Sequence, residues 1–241
     1  MKYAGEFYSE LPRSGSDIVK GARIALDHMK SIEAVLEESF RNKKNGRQGT
    51  SSDQEQDLLR AKLVMTSAGL DAVFKHLCYT AIPYLASAGN TDVQKTLEEF
   101  MKSLLLEIPN AKIGSTKLKS LTKAILSKDP MEPLVEQYVQ QEFDGSLQSR
   151  EALCKAARLL GIGVEHIVDS KSKAQLLDEI FKARNNIIHE LDLDPSGTKR
   201  KRNQRRVIDI TKYCNTLYAI AKTSVDLVES KVDKANADKL S

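Results

Sequence analysis

The chain contains no tryptophan, and aromatic residues make up only 5% of its 241 positions. A base-stacking surface needs several aromatic faces, so recognition of nucleobases by stacking is not expected. Its three cysteines, Cys78, Cys154 and Cys214, stand far apart with no Cys-x-x-Cys pair. That spacing excludes both a disulfide framework and a zinc knuckle, and points to a reducing, cytoplasmic setting. No run approaches the ~20 consecutive apolar residues of a membrane span. The first residues, Met1 to Glu6, lack the apolar stretch of a secretory signal. Alternating strand patterns, internal repeats and a glycine-rich phosphate loop are missing too. Gly161-Ile162-Gly163 lacks a third glycine and a preceding strand, and reads as a helix-ending turn.

What is present is helical periodicity. Apolar residues form 41% of the chain and charged residues 29%, enough of the former to bury a core. Ile18, Ala22, Ala25, Met29, Ile32 and Leu36 follow three-and-four spacing, with Asp17 near the start. A polar, basic connector from Asn42 to about Gln54 follows, with Arg41, Lys43, Lys44 and Arg47 as a minor cationic cluster. Helices are then predicted from Ser52 to Ala81, ending before Pro83, and from a Thr91 cap through Leu105 to a stop at Pro109. Further segments cover Ser115–Leu126, Glu132–Phe143, Ser149–Leu160, Lys173–Leu191 and Arg206–Val232. The expected class is therefore all-α: a helical bundle over 52–241 with an additional N-terminal helix and basic loop over 1–51.

One position breaks its stripe. Counting in sevens, Ile180 leads to Ile187 and Phe181 to Ile188, but Leu177 leads through Arg184 to Leu191. A guanidinium on an apolar stripe loses hydration and needs acceptors, unless its methylenes alone are covered and its head reaches water. Asn185 and His189, four apart, share an edge of the same helix. Asp71, on the Leu70–Phe74–Leu77 helix, is a candidate counter-charge for Arg184 if the two helices pack together.

The run Arg184-Asn185-Asn186-Ile187-Ile188-His189 resembles the Arg-x4-His signature of HEPN domains. Gly145 to Leu153, leading to Leu159-Leu160-Gly161-Ile162, resembles the helix and turn before the motif helix in that family. The resemblance covers roughly the second half of the chain and one or two earlier helices. It implies a small helical bundle that pairs through its motif helices into a homodimer. It also implies either metal-independent cleavage of RNA or a non-catalytic RNA-binding or assembly module, with a regulatory protein partner compatible with both. In the catalytic case His189 is the acid/base, Arg184 the phosphate clamp, and Asn185 orients the imidazole or donates to phosphate. No cofactor or metal is called for. Leu191 stands where one subfamily carries a tyrosine that is nucleotidylated, so that modification is not expected. Host defence, a toxin–antitoxin pair and RNA processing all fit such an activity.

A second feature adjoins the motif. Six of the nine residues from Thr198 to Arg206 are basic: Lys199, Arg200, Lys201, Arg202, Arg205 and Arg206. They follow the Asp194-Pro195-Ser196-Gly197 turn, with Lys199 ten residues beyond His189. A cationic run tethered there is expected to gather RNA phosphates, with salt-sensitive affinity. A solvated charge run and a nuclear import signal are the plainer readings of the same residues. His28, His76 and His166 are scattered without metal-ligand spacing, and Glu190 begins no zinc-protease motif.

Overall fold

The structure, a computed structural model, describes residues 14–41, 52–107, 126, 131–193 and 202–240. The connector after Asn42, the helix expected over 115–126 save Leu126 itself, and Lys199 to Lys201 lie outside the described residues. Among the described residues the architecture is all-helical. Seven α-helices run in order α1 (Gly15–Arg41), α2 (Asp53–Ser87), α3 (Thr91–Glu107), α4 (Met131–Phe143), α5 (Arg150–Leu159), α6 (Lys171–Glu190) and α7 (Val207–Leu240). A 3-10 turn, Val164–His166, links α5 to α6. The only extended pairing among them is an isolated antiparallel bridge between Leu193 and Arg202. No helix among them is long and apolar enough to cross a membrane.

Composition explains why α2 is central. Leu59, Leu63, Leu70, Val73, Phe74, Leu77, Cys78, Ile82 and Leu85 are all buried, and they point in more than one direction around the axis. A helix apolar on several sides must be covered on several sides. α2 accordingly touches all six other helices. Its start is fixed by a capping box: the Ser52 hydroxyl accepts from Glu55 N–H (3.3 Å) and the Glu55 carboxylate accepts from Ser52 N–H (2.7 Å).

The helix does not stop before Pro83, as its sequence predicts, but continues to Ser87. Proline removes one ladder hydrogen bond. Ile82, Leu85 and Ala86 around it are buried, and packing of that last turn outweighs the loss. The cap of α3 is also one residue early, since the Asn90 side chain accepts from Val93 N–H (3.3 Å).

α1 is part of this core rather than an appendage to it. Ile18, Val19, Ala22, Leu26 and Met29 belong to the same buried cluster as α2 and α7. Arg23 pairs with Glu229 and Gly15 N–H donates to Asp233 (2.7 Å), tying α1 to α7. Inside the bundle, Lys62 is buried and paired with Glu33 (3.1 Å), a second α1–α2 link.

The α1–α2 approach depends on Gly69. A Cβ there would lie 2.2 Å from Met29 Cγ, and Met29 is itself buried. Gly69→Val is expected to destabilise the fold by about 1–3 kcal/mol through overpacking, read as a lower urea midpoint. An unchanged midpoint would mean that α1 is not seated on α2 in this way.

Candidate functional site

The motif lies on α6, whose N-terminus is capped by Ser170 accepting from Lys173 N–H (3.2 Å). Leu177, Ile180, Phe181 and Ala183 face the core. The apolar row read from the sequence then leaves the core: Leu177 is fully buried, Arg184 half-buried, and Leu191 is 64% exposed. Arg184 thus sits at the margin of the core rather than within a continuous seam. Five residues turn a helix by about 140° past a full turn, so Arg184 and His189 cannot share one face. Arg184 turns inward, whereas His189 and Asn185 are exposed.

The guanidinium of Arg184 donates through Nη1 to Asn185 Oδ1 (2.9 Å), and its buried Nε has no hydrogen-bond partner. Burial lowers the pKa of Arg184 and the charge of Asp71 opposes that change. Asp71 is therefore an electrostatic neighbour of Arg184, but its oxygens are engaged elsewhere. Oδ1 accepts from Leu147 N–H (2.6 Å) and Oδ2 pairs with Lys75 Nζ (3.1 Å).

Beyond His189 the chain does something the sequence does not announce. Leu191 and Asp192 both adopt positive φ, 51° and 60°. Left-handed backbone at two successive non-glycine residues costs on the order of 1–3 kcal/mol each. The turn is held because the Asp192 carboxylate, 0% exposed, lies between two arginines. Arg60 Nε, from α2, donates to Oδ2 (2.9 Å). Arg205 donates through Nε to Oδ2 (3.0 Å) and through Nη2 to Oδ1 (2.5 Å).

Main-chain bonds complete the lock. Asn203 N–H donates to Asp192 O (2.8 Å), and Arg60 Nη2 donates to Asn203 O (2.9 Å). Gln56, buried on α2, accepts from Arg205 N–H (2.7 Å) and donates to Arg205 O (2.9 Å). Together with the Leu193–Arg202 bridge, these contacts close a neck that holds Leu193 and Arg202 side by side beyond the end of the motif helix.

The basic residues therefore divide. Arg205, expected among the phosphate contacts, instead has its guanidinium engaged by buried Asp192. Arg202 pairs with Asp57 (2.6 Å) and Arg206 with Asp209 (2.9 Å), both in exposed settings. Such pairs are worth about 0–1 kcal/mol, so neither holds its arginine firmly. The Gln56–Arg60 spacing on α2 was the available signal for this network, since two polar residues four apart beside Leu59 and Leu63 interrupt an otherwise apolar surface.

Four large apolar side chains stand exposed around this end: Ile188, Leu191, Val207 and Ile208. A groove of about 600 Å³ begins at Ile208 and runs along α7, but neither Arg184 nor His189 lines it. Among the described residues no three His, Cys, Asp or Glu side chains converge as a metal site. The chain matches no protein-family model, no curated protein and no solved structure.

Burial alone would raise the pKa of Asp192, but hydrogen bonds from Arg205 and Arg60, with the Arg205 charge, hold it below the usual carboxylate range. A depressed folded-state pKa gives stability that is present above the unfolded value, ~3.9, and lost as pH falls through the folded one. Asp192→Asn, which strands two arginines, is expected to cost about 3–5 kcal/mol near neutral pH. Urea titrations should show the gap between wild type and variant narrowing only in acid. A gap that persists unchanged through pH 2 would contradict the ionic origin of the lock.

Proposed function

We propose that this chain is a metal-independent endoribonuclease of the HEPN type, acting as a homodimer in which two α6 helices pair. The observation that carries the reading is the placement of His189. It is exposed on the last turn of α6, flanked by exposed Ile188 and Leu191, next to a neck that presents Arg202 and Arg206. An apolar rim around a polar centre suits burial against a second copy, and a two-fold axis is the commonest way to pair identical surfaces. Pairing also supplies a second Arg184 and His189, which compensates for the divergence of the two side chains within one copy.

In this mechanism an imidazole takes the proton of a ribose 2′-hydroxyl. The 2′-oxygen attacks phosphorus, the bond from phosphorus to O5′ breaks, and an imidazolium returns a proton to O5′. The products are a 2′,3′-cyclic phosphate and a 5′-hydroxyl, with no further reactant. Arg184 holds the non-bridging oxygens, exchanging its Nη1 contact with Asn185 for phosphate, while Asn185 turns to donate. Asp71 offsets the burial of the guanidinium as it does so.

A second reading, a non-catalytic RNA-binding or assembly module, is favoured by one specific feature. Arg184 is tied to Asn185 and turned toward the core, away from His189.

Purified protein is expected to cut single-stranded RNA in excess EDTA, leaving cyclic phosphate ends. His189→Ala should slow cutting by about 10²–10⁴-fold while leaving the circular dichroism and the melting temperature unchanged. Binding without cutting by wild type and variant alike would establish the module reading. Light scattering that finds a monomer at micromolar concentration would remove the composite site.

A further inference from the structure

The groove along α7 is not used by the motif, and its lining has one sign of charge. Lys173 from α6, Lys212 from α7 and the His166 ring from the 3-10 turn face it, with Thr211, Asn215 and Thr223 between them. No aspartate or glutamate lines it. Lys212 has no ion-pair partner among the described residues, and Lys173 makes only an exposed contact with Asp169 (3.4 Å). Ile208, Ala219 and Ile220 form an apolar floor. From Ile208 to Thr223 the helix rises roughly 22 Å, so the groove is long.

Its position matters as much as its chemistry. Ile208 is two residues beyond Arg206, so one end of the groove opens at the neck beside the end of α6. The other end reaches His166 and Lys173 at the start of α6. Hydroxyls, amides and ammonium groups are the side chains that bind phosphate oxygens without reading sequence. No Phe, Tyr or Trp lines it, so base stacking contributes little to affinity. A flexible single strand can follow a straight stripe along one helix, whereas each backbone of a duplex winds away from it.

We propose that this groove is a phosphodiester track that holds a single strand of RNA running from the neck along α7 to His166 and Lys173, without preference for base sequence. The proposal rests on the RNA reading above, and it names the substrate of that site as single-stranded. The strand lies with its phosphates toward Lys212, Lys173 and the threonine hydroxyls, and its riboses over the apolar floor. Arg202 and Arg206, at the entrance, exchange their exposed carboxylate partners for the same backbone.

Fluorescence anisotropy of the full chain with a labelled, fully 2′-O-methylated 16-nucleotide RNA tests this, because the blocked 2′-oxygen prevents cleavage. Wild type is expected to bind, and Lys173→Glu/Lys212→Glu to bind at least about tenfold more weakly at 0.1 M salt. For two lost phosphate contacts, the slope of log affinity against log salt should shrink by about 1.4. The milder Lys173→Gln/Lys212→Gln pair should move the same way by a smaller amount, with unchanged circular dichroism. Lys30→Glu/Lys95→Glu, which makes the same charge change at exposed positions of α1 and α3 that do not line the groove, should stay within about twofold of wild type. Equal losses in the groove and control pairs would overturn the track, as would failure of wild type to bind the methylated strand. Duplex RNA bound as tightly, with the same sensitivity to Lys173 and Lys212, would overturn the single-strand assignment. Cleavage failure with the groove effect intact would instead count against the nuclease reading alone.

Discussion

A single carboxylate, Asp192, sets the geometry of the end of the bundle where α6 stops and α7 begins. It lies between Arg60 of the central helix and Arg205 before the last helix, and its main-chain carbonyl accepts from Asn203. Taking three charges out of water is unfavourable unless each finds its partners. Here the two carboxylate oxygens meet two guanidinium groups, and Gln56 satisfies both main-chain groups of Arg205. The completeness of this set permits two left-handed residues in succession, and that backbone ends α6 immediately after Glu190. The exposed ring of His189 and the start of α7 owe their proximity to this one lock.

The lock also explains how α6 can carry both a buried and an uncovered side. Its first half is anchored by Leu177, Ile180 and Phe181, and its last turn is held from beyond by Asp192. A helix fixed at both ends can leave Ile188, His189 and Leu191 uncovered without fraying. The half-buried Arg184 lies where these two regimes meet, with an incomplete set of hydrogen bonds and an acidic neighbour that is already engaged. Such a side chain is held in register with one of its donors, Nε, unmet.

Helical period was the most legible property of the chain. The extents of α4, α5 and α6 follow from apolar spacing to within about two residues, and the Ser170 cap that starts α6 ahead of the expected Lys173 is decided by equally local chemistry. Pro83 misleads because its effect is local while the burial of Leu85 and Ala86 is tertiary. The Leu177–Arg184–Leu191 row misleads for a related reason. Seven-residue counting assumes that the helix stays against its neighbour, and here the chain turns away at Leu191. That Asp192 would seek Arg60, 132 positions earlier, has no trace in periodicity. The two polar residues on α2 hint that a buried partner exists, and only the fold says which. The division of the basic run into Arg205 inside and Arg202 and Arg206 outside is equally invisible to a count of charges.

Because Leu193 and Arg202 are held side by side, the chain leaves and rejoins the bundle at one fixed point. Extending a stretch of chain whose ends are already joined adds little entropic cost, about 0.6 kcal/mol for each doubling of its length. The length of chain between those two residues can therefore change with little effect on the stability of the bundle. An insertion there leaves the closure at Leu193 and Arg202, and the core behind it, in place.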